Sequence, residues 1–288
     1  MRSGVCIGKV KLSDERKRSL PVFGDMGRLF HKNLEIEMTK GKKEYRVKTK
    51  DSLFDKLLSK AVRLFKKETQ IINLSGEELP DRFIMLGNHS AASGPMSYRM
   101  FLPKRIMTWA AYPMCEGYVS RWKYLYDVFY GQKLHMKNPG RFFAATGFGI
   151  VSRIIYMAGG VIPVYNDMRM KTTIEHSMEC LNKNVGVLVF PEDSSEGYHE
   201  KLTRIFGGFQ VLAREYKRKN GEDIPIYTVY YSKKLNKMVI GKPYFYSELK
   251  KTMTDADMLE YLRDDINGLF EKYLEKELIS QELEDMRN

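Results

Sequence analysis

The chain has 288 residues, 43% hydrophobic and 29% charged, the composition of a globular protein with a sizeable core in one large or two small domains. Its net charge of +12 is out of the ordinary and favours anionic partners: a phospholipid surface, nucleic acid or phosphorylated substrates. Three widely spaced cysteines (Cys6, Cys115, Cys180) without a Cys-x-x-Cys, and five histidines without metal-ligand spacing, argue against a disulfide framework and a metal site and for a reducing, cytoplasmic setting.

Residues 1–50 are polar, basic and weakly periodic. They read as a loosely packed arm with strand pairing around 34–38 and 45–47, and no signal-peptide pattern is seen. Leu53, Phe54, Leu57, Leu58, Ala61, Val62, Leu64 and Phe65 then recur at three- and four-residue spacing, the period of a helix. Lys56, Lys60, Arg63, Lys66 and Lys67 occupy much of the remaining surface. The apolar face either packs on the domain or lies in a membrane interface with the cations toward headgroups. Residues 1–75 thus form an N-terminal arm and amphipathic helix.

The apolar run 83–86 predicts a buried strand. It ends in Gly87-Asn88-His89-Ser90-Ala91-Ala92-Ser93-Gly94-Pro95, with Ser93-Gly94-Pro95 expected as a turn built around its glycine. Residues 97–101 read as helix, 105–111 as strand, 112–117 as a loop and 122–129 as a long aromatic segment. Residues 140–158 are small and apolar with one helical stretch. Arg153 and the glycines at 147, 149, 159 and 160 break the 142–165 stretch before it reaches the ~18 apolar residues of a membrane span.

A strand over 159–165, a helix over 171–182 and a strand over 186–190 follow, the last ending in Pro191-Glu192-Asp193-Ser194-Ser195. The helix over 206–219 stops at Asn220-Gly221. Strands at 224–232 and 238–240 precede one or two charged amphipathic helices from Asp255 onward. The alternation predicts an α/β fold with a mixed, largely parallel sheet flanked by helices. It places the main domain at 76–250 and C-terminal helices packed on it at 251–288.

Two strands deliver polar, turn-forming residues at their C-terminal ends, the edge where ligands bind in open α/β sheets. Other motifs are weaker. Gly147-Phe148-Gly149-Ile150-Val151-Ser152 lacks the third glycine, the preceding strand and the downstream acid of a dinucleotide fingerprint. Neither a Gly-x-Ser-x-Gly elbow nor a Walker loop occurs. The basic and aromatic residues at 121–126 fit a core helix with snorkelling cations better than a base-stacking surface, so nucleic acid is not an expected partner.

Four segments in order resemble the glycerolipid (lysophosphatidate-type) acyltransferase family, over roughly residues 80–245. Asn88-His89-Ser90-Ala91-Ala92-Ser93-Gly94 stands for Asn-His-x-x-x-x-Asp. Gly159-Gly160-Val161-Ile162-Pro163-Val164-Tyr165-Asn166 stands for Gly-Gly-Ile-Pro-Val-Asp-Arg. Phe190-Pro191-Glu192-Asp193-Ser194-Ser195-Glu196 stands for Phe-Pro-Glu-Gly-Thr-Arg-Ser, and Ile224-Pro225-Ile226 for an apolar strand with proline.

The resemblance implies acyl transfer from acyl-CoA or acyl-carrier protein to a lysophospholipid or glycerol phosphate-type hydroxyl, with no metal and no cofactor beyond the donor. His89 would be the general base and Glu192 would line the acceptor site. Asn88, Ser90, Ser93, Pro191, Asp193, Ser194 and Arg169 would contact substrate. The setting implied is cytoplasmic, peripheral on an anionic membrane surface.

The chain also departs from the family. Gly94 replaces the aspartate that orients the histidine, and in a comparable His–Asp pair that loss costs roughly 10⁴ in turnover. Glu116, Glu192 and Asp193 are alternative supporting acids. Tyr165-Asn166 and Ser195 replace the phosphate-binding arginines, for which Arg169 or Arg204 would have to compensate. These departures motivate a second reading, a catalytically weakened protein that binds lipid or acyl chains.

Overall fold

The computed structural model describes residues 47, 50, 53–90 and 93–286. Apart from Val47 and Lys50, the N-terminal arm, with its predicted strand pairing, lies outside the described residues. The chain divides into two compact units, residues 1–43 and 44–288, and every described element belongs to the second.

Seven strands form one sheet: β1 Gln70–Asn73, β2 Ile84–Gly87, β3 Ile106–Ala111, β4 Val161–Val164, β5 Gly186–Val189, β6 Pro225–Ser232 and β7 Lys237–Phe245. Their spatial order is β1-β7-β6-β2-β5-β3-β4. Only β6 and β7 pair antiparallel; the other neighbours are parallel, so the α/β class with a mixed, largely parallel sheet is observed. Every residue of β2 and β5 is buried, as expected of parallel strands covered on both faces.

The period of two sorts these strands onto two cores. Ile84, Leu86, Val187 and Val189 face one cluster, with Met178, Leu181, Phe209, Leu212, Leu262 and Ile266. Phe83, Met85 and Leu188 face the other, with Tyr98, Tyr227, Val229 and Tyr231.

The helices are α1 Leu53–Phe65, α2 Ser93–Phe101, α3 Tyr112–Cys115, α4 Tyr118–Lys123, α5 Gly140–Gly159, α6 Met170–Asn182, α7 Gly208–Asn220, α8 Tyr246–Thr252, α9 Asp255–Tyr273 and α10 Glu275–Asp285. A π-helical segment, Tyr124–Lys133, continues α4. Gly221 ends α7 in the left-handed region, φ +78°, as its sequence signal predicts. Thr254 and Asp257 close a reciprocal capping box at the start of α9. Among the described residues no helix is long and apolar enough to cross a membrane.

Three expectations are corrected. Ser93-Gly94-Pro95 is not a turn but the first turn of α2, where proline's missing N–H removes no helical bond. Residues 112–115 of the expected loop are helix α3. The helical stretch expected within 140–158 is one unbroken helix over 140–159, and Gly147-Phe148-Gly149 lies inside it, in keeping with its poor match to a dinucleotide fingerprint. A Cβ on Gly149 would stand 3.2 Å from the Tyr118 ring, and its absence lets α4 and α5 pack closely. Strand β7 runs on to Phe245 and is followed by α8, neither of which was read from sequence.

Candidate active site

Strands β2 and β5 are parallel neighbours, with Ile84 opposite Val187 and Leu86 opposite Val189. Their C-terminal extensions therefore leave the same edge side by side. One carries Asn88 and His89; the other carries Phe190, Pro191 and Glu192. The main-chain N–H of His89 donates to Glu192 Oε2 at 3.0 Å, joining segments 103 residues apart.

The His89 ring lies between two aromatic side chains. The Phe190 centroid is 4.8 Å away and tilted; Tyr198 stacks at 5.0 Å and 22°. Aromatic packing of this kind restricts the imidazole to a narrow range of orientations. Burial holds the Tyr198 phenol well above its usual pKa, so it stays a neutral stacking partner.

Glu192 is largely removed from water, and desolvation raises its carboxyl pKa; the His89 amide bond, Lys133 and His199 act in the opposite direction. Lys133, at the end of the π-helical segment, brings its ammonium to 2.5 Å from Ser194 Oγ and 5.2 Å from the Tyr198 ring centroid. Burial lowers the Lys133 pKa, while the charges of Glu192 and Asp193 raise it. Neither Lys133 nor Tyr198 was picked out from sequence. Lys133 lies 61 residues before Ser194, and no local pattern links them.

The remaining predicted residues take distinct places. Asn88 is buried: Nδ2 donates to the Tyr231 carbonyl at 3.0 Å, and Oδ1 accepts from the Tyr231 amide at 2.8 Å and the Tyr98 hydroxyl at 3.1 Å. Ser90 adopts φ +45°, and its carbonyl accepts from Ser93 Oγ at 2.9 Å. The Pro191 carbonyl accepts from the Phe206 amide. Asp193 accepts from the Ser195 amide at 3.2 Å and stands 3.9 Å from Arg204. Glu116 accepts from Ser120. Of the three acids considered as support for His89, Glu192 is bonded to it, through the main-chain amide.

Gly94 is buried for a reason other than turn conformation. A Cβ there would fall 2.1 Å from the His89 carbonyl oxygen, so α2 starts directly against the His89 main chain and leaves no space for the aspartate expected from the resemblance.

Arg169 is drawn into a separate cluster at the β4 tip, two strands beyond β5. Its Nε lies 3.0 Å from both Asp167 carboxylate oxygens, and a terminal nitrogen is 2.7 Å from Oδ2. Its guanidinium also lies 4.9 Å and 4.3 Å from the ring centroids of Tyr112 and Tyr165.

The arrangement can do proton chemistry. A half-buried imidazole packed against Phe190 and Tyr198, a desolvated carboxyl held by the His89 amide and an ammonium gather at one sheet edge, a set that suits abstraction of a hydroxyl proton.

No protein-family model matches the chain, and no curated protein matches it in sequence. Among solved structures it is similar to the 1-acyl-sn-glycerophosphate (LPA) acyltransferase PlsC from Thermotoga maritima. The identity is 14%, covering 88% of this chain and 93% of that one, with a TM-score of 0.44. A likeness of that degree says nothing of substrate or mechanism.

Proposed function

We propose that the chain is an acyltransferase of the glycerolipid type, working peripherally at an anionic membrane surface on the cytoplasmic side. The observation that carries this reading is the bond from the His89 amide to Glu192, which unites the first and third motif segments around one imidazole. In the reaction, His89 takes the proton from the hydroxyl of a lysophospholipid or glycerol phosphate-type acceptor. The hydroxyl oxygen attacks the thioester carbonyl of acyl-CoA or acyl-carrier protein. The new C–O ester bond forms, the C–S bond breaks, and the imidazolium returns its proton to the departing thiolate. The donor is a substrate, so no cofactor is required.

Phe190 and Tyr198 hold the ring in the place of an orienting aspartate. Glu192 lines the acceptor site. Lys133 meets the acceptor's anionic group, the task of the arginines that this sequence lacks. Purified protein given labelled acyl donors and a lysolipid panel should yield an acylated product. His89→Ala should lower the rate by about 10²–10⁴; undiminished product from that variant would remove the mechanism.

The second reading, a protein that holds lipid or acyl chains without turnover, is favoured by the 2.1 Å approach at Gly94, which closes the orienting position. Native mass spectrometry of protein from cells tests it: bound lipid without turnover supports this reading, and turnover without bound lipid removes it.

A further inference from the structure

Helix α5 has the composition of a buried helix on both of its sides. Ala145, Gly149 and Ser152, at spacings of four and three, form its packed row, with Gly149 against the Tyr118 ring. Half a helical turn away lie Phe143, Gly147, Ile150 and Ile154, at spacings of four, three and four, with Val151 beside them. All five are exposed, Phe143 at 69% and Ile150 at 60%. A helix on a protein surface ordinarily turns polar side chains to water. This one turns a phenylalanine, two isoleucines and a valine, and a contiguous apolar surface of that kind marks an interaction site.

The charges around the row have one sign. Arg141 and Arg153 are the charged residues of α5. No aspartate or glutamate occurs from residue 128 to residue 166, a stretch that also carries Lys133 and Lys137. The acids that bound it are both paired, Asp127 with Arg141 at 3.2 Å and Asp167 with Arg169 at 2.7 Å. Arg153 is exposed, about a quarter of a turn from the centre of the apolar row.

These features choose among occupants. A second copy of the chain would bring the same cations and the same net charge of +12 against the row, and like charges repel. A protein interface draws on hydrogen bonds as well as apolar contact, and the side chains of the row offer neither donor nor acceptor. A bilayer asks for neither: its acyl boundary takes the apolar row, and anionic headgroups take the flanking cation. Helix α5 also packs on the π-helical segment that carries Lys133, so the element beneath the row reaches the imidazole site.

We propose that this row of α5 is the face with which the chain rests on an anionic phospholipid bilayer. Phe143, Ile150, Val151 and Ile154 enter the acyl boundary, and Arg153 meets headgroup phosphate. This rests on the membrane-surface part of the reading above and not on its chemistry.

The test is sedimentation with phosphatidylglycerol-containing and pure phosphatidylcholine vesicles. The full chain is compared with Phe143→Gln/Ile150→Gln and with a control that removes as many exposed apolar side chains from α10, Ile279→Gln/Leu283→Gln. Glutamine is a good helix former, so Tm should hardly move in either. The unaltered chain should prefer the anionic vesicles. The α5 variant should lose roughly tenfold or more of that binding and the control less than about threefold. Arg153→Glu, made separately, should cost binding to the anionic vesicles about fivefold or more and leave the neutral ones unchanged; an equal effect on both overturns the headgroup contact. Equal loss in the α5 variant and the control overturns the assignment of the face. Unchanged binding in the α5 variant overturns it too and leaves the membrane-surface reading standing. No binding by the unaltered chain removes both. Sedimentation equilibrium without lipid covers the other occupant: a dimer that Phe143→Gln/Ile150→Gln converts to monomer would assign the row to a second copy and overturn the bilayer.

Discussion

At the β2–β5 tips Lys133 is half-buried and bonded to a neutral hydroxyl, with Glu192 and Asp193 acting on it through space. At the β4 tip Arg169 is exposed, paired with Asp167 and stacked on Tyr112 and Tyr165. Both tips belong to the same sheet edge, and both bring a cation to it. One cation faces the imidazole site without a direct carboxylate bond shown to it; the other is already matched by its own loop. Nearness in sequence to a motif is therefore a poor guide to which cation comes to rest near the imidazole. Arg169 is five residues past the second motif strand, whereas Lys133 belongs to no motif.

The sharpest test of that contrast is Lys133→Ala. It should lower kcat/KM by roughly tenfold to a hundredfold for an anionic acceptor and less for a neutral one, because a charge-assisted contact is lost. Lys133 also holds the Glu192 pKa down, so the acidic limb of the pH–rate profile should move to higher pH. A variant with unchanged kcat/KM and an unmoved limb would place Lys133 outside the site.

Gly94 comes next. Gly94→Ala forces a methyl against the His89 carbonyl and should destabilise the fold by about 1–3 kcal/mol, read as a lower Tm. Gly94→Asp should do so too and give no gain in turnover. A rise in turnover at unchanged Tm would show that the family's orienting carboxylate fits here after all.

Glu192→Gln reports on burial. Desolvation places the folded pKa of Glu192 above its ordinary value of 4.5, so folding favours the neutral form. The stability this contributes is complete below 4.5 and is lost as the pH rises through the raised folded value. The Tm of the unaltered chain should therefore fall relative to Glu192→Gln as the pH climbs from 4.5 through that value, then run parallel to it. A constant difference across that range would mean that the carboxyl is not desolvated.

The smallest effect belongs to Arg169→Ala. An exposed pair contributes little, so kcat/KM should stay within about threefold and Tm should hardly move. A loss as large as that of Lys133→Ala would erase the contrast between the tips.

Much of the scaffold was legible in the sequence. Strands β2 and β5 are apolar throughout because both their faces are buried, and α1 shows the helical period along its length. The errors came where composition and packing disagree. Ser93-Gly94-Pro95 has turn composition, yet all three residues are tolerated in a first helical turn, and the glycine serves a main-chain contact. The glycines of α5 were read only as interruptions of an apolar run, and the packing role of Gly149 against Tyr118 was not legible. At the site, the imidazole and carboxylate were legible because each follows an apolar strand. Lys133 and Tyr198 were not, since their roles depend on where a distant helix and a loop come to rest. Asn88 was read as a substrate contact, while its amide is bonded to Tyr231 across 143 residues.

That amide bears on the mobility of the His89 turn. The β2–β6 ladder has its last pair at Gly87 and Val229. Beyond it the Asn88 side chain donates to and accepts from the Tyr231 main chain as another peptide group would. The backbone is thus released from the sheet, and Ser90 can take its positive φ, while the N–H and C=O of Tyr231 keep their partners. The His89 turn is consequently fastened to the antiparallel side of the sheet by two hydrogen bonds that close no local ring. The Tyr231 amide, held by Asn88, and the His89 amide, held by Glu192, should exchange with solvent nearer the slow rate of the central strands than the rate of a surface loop.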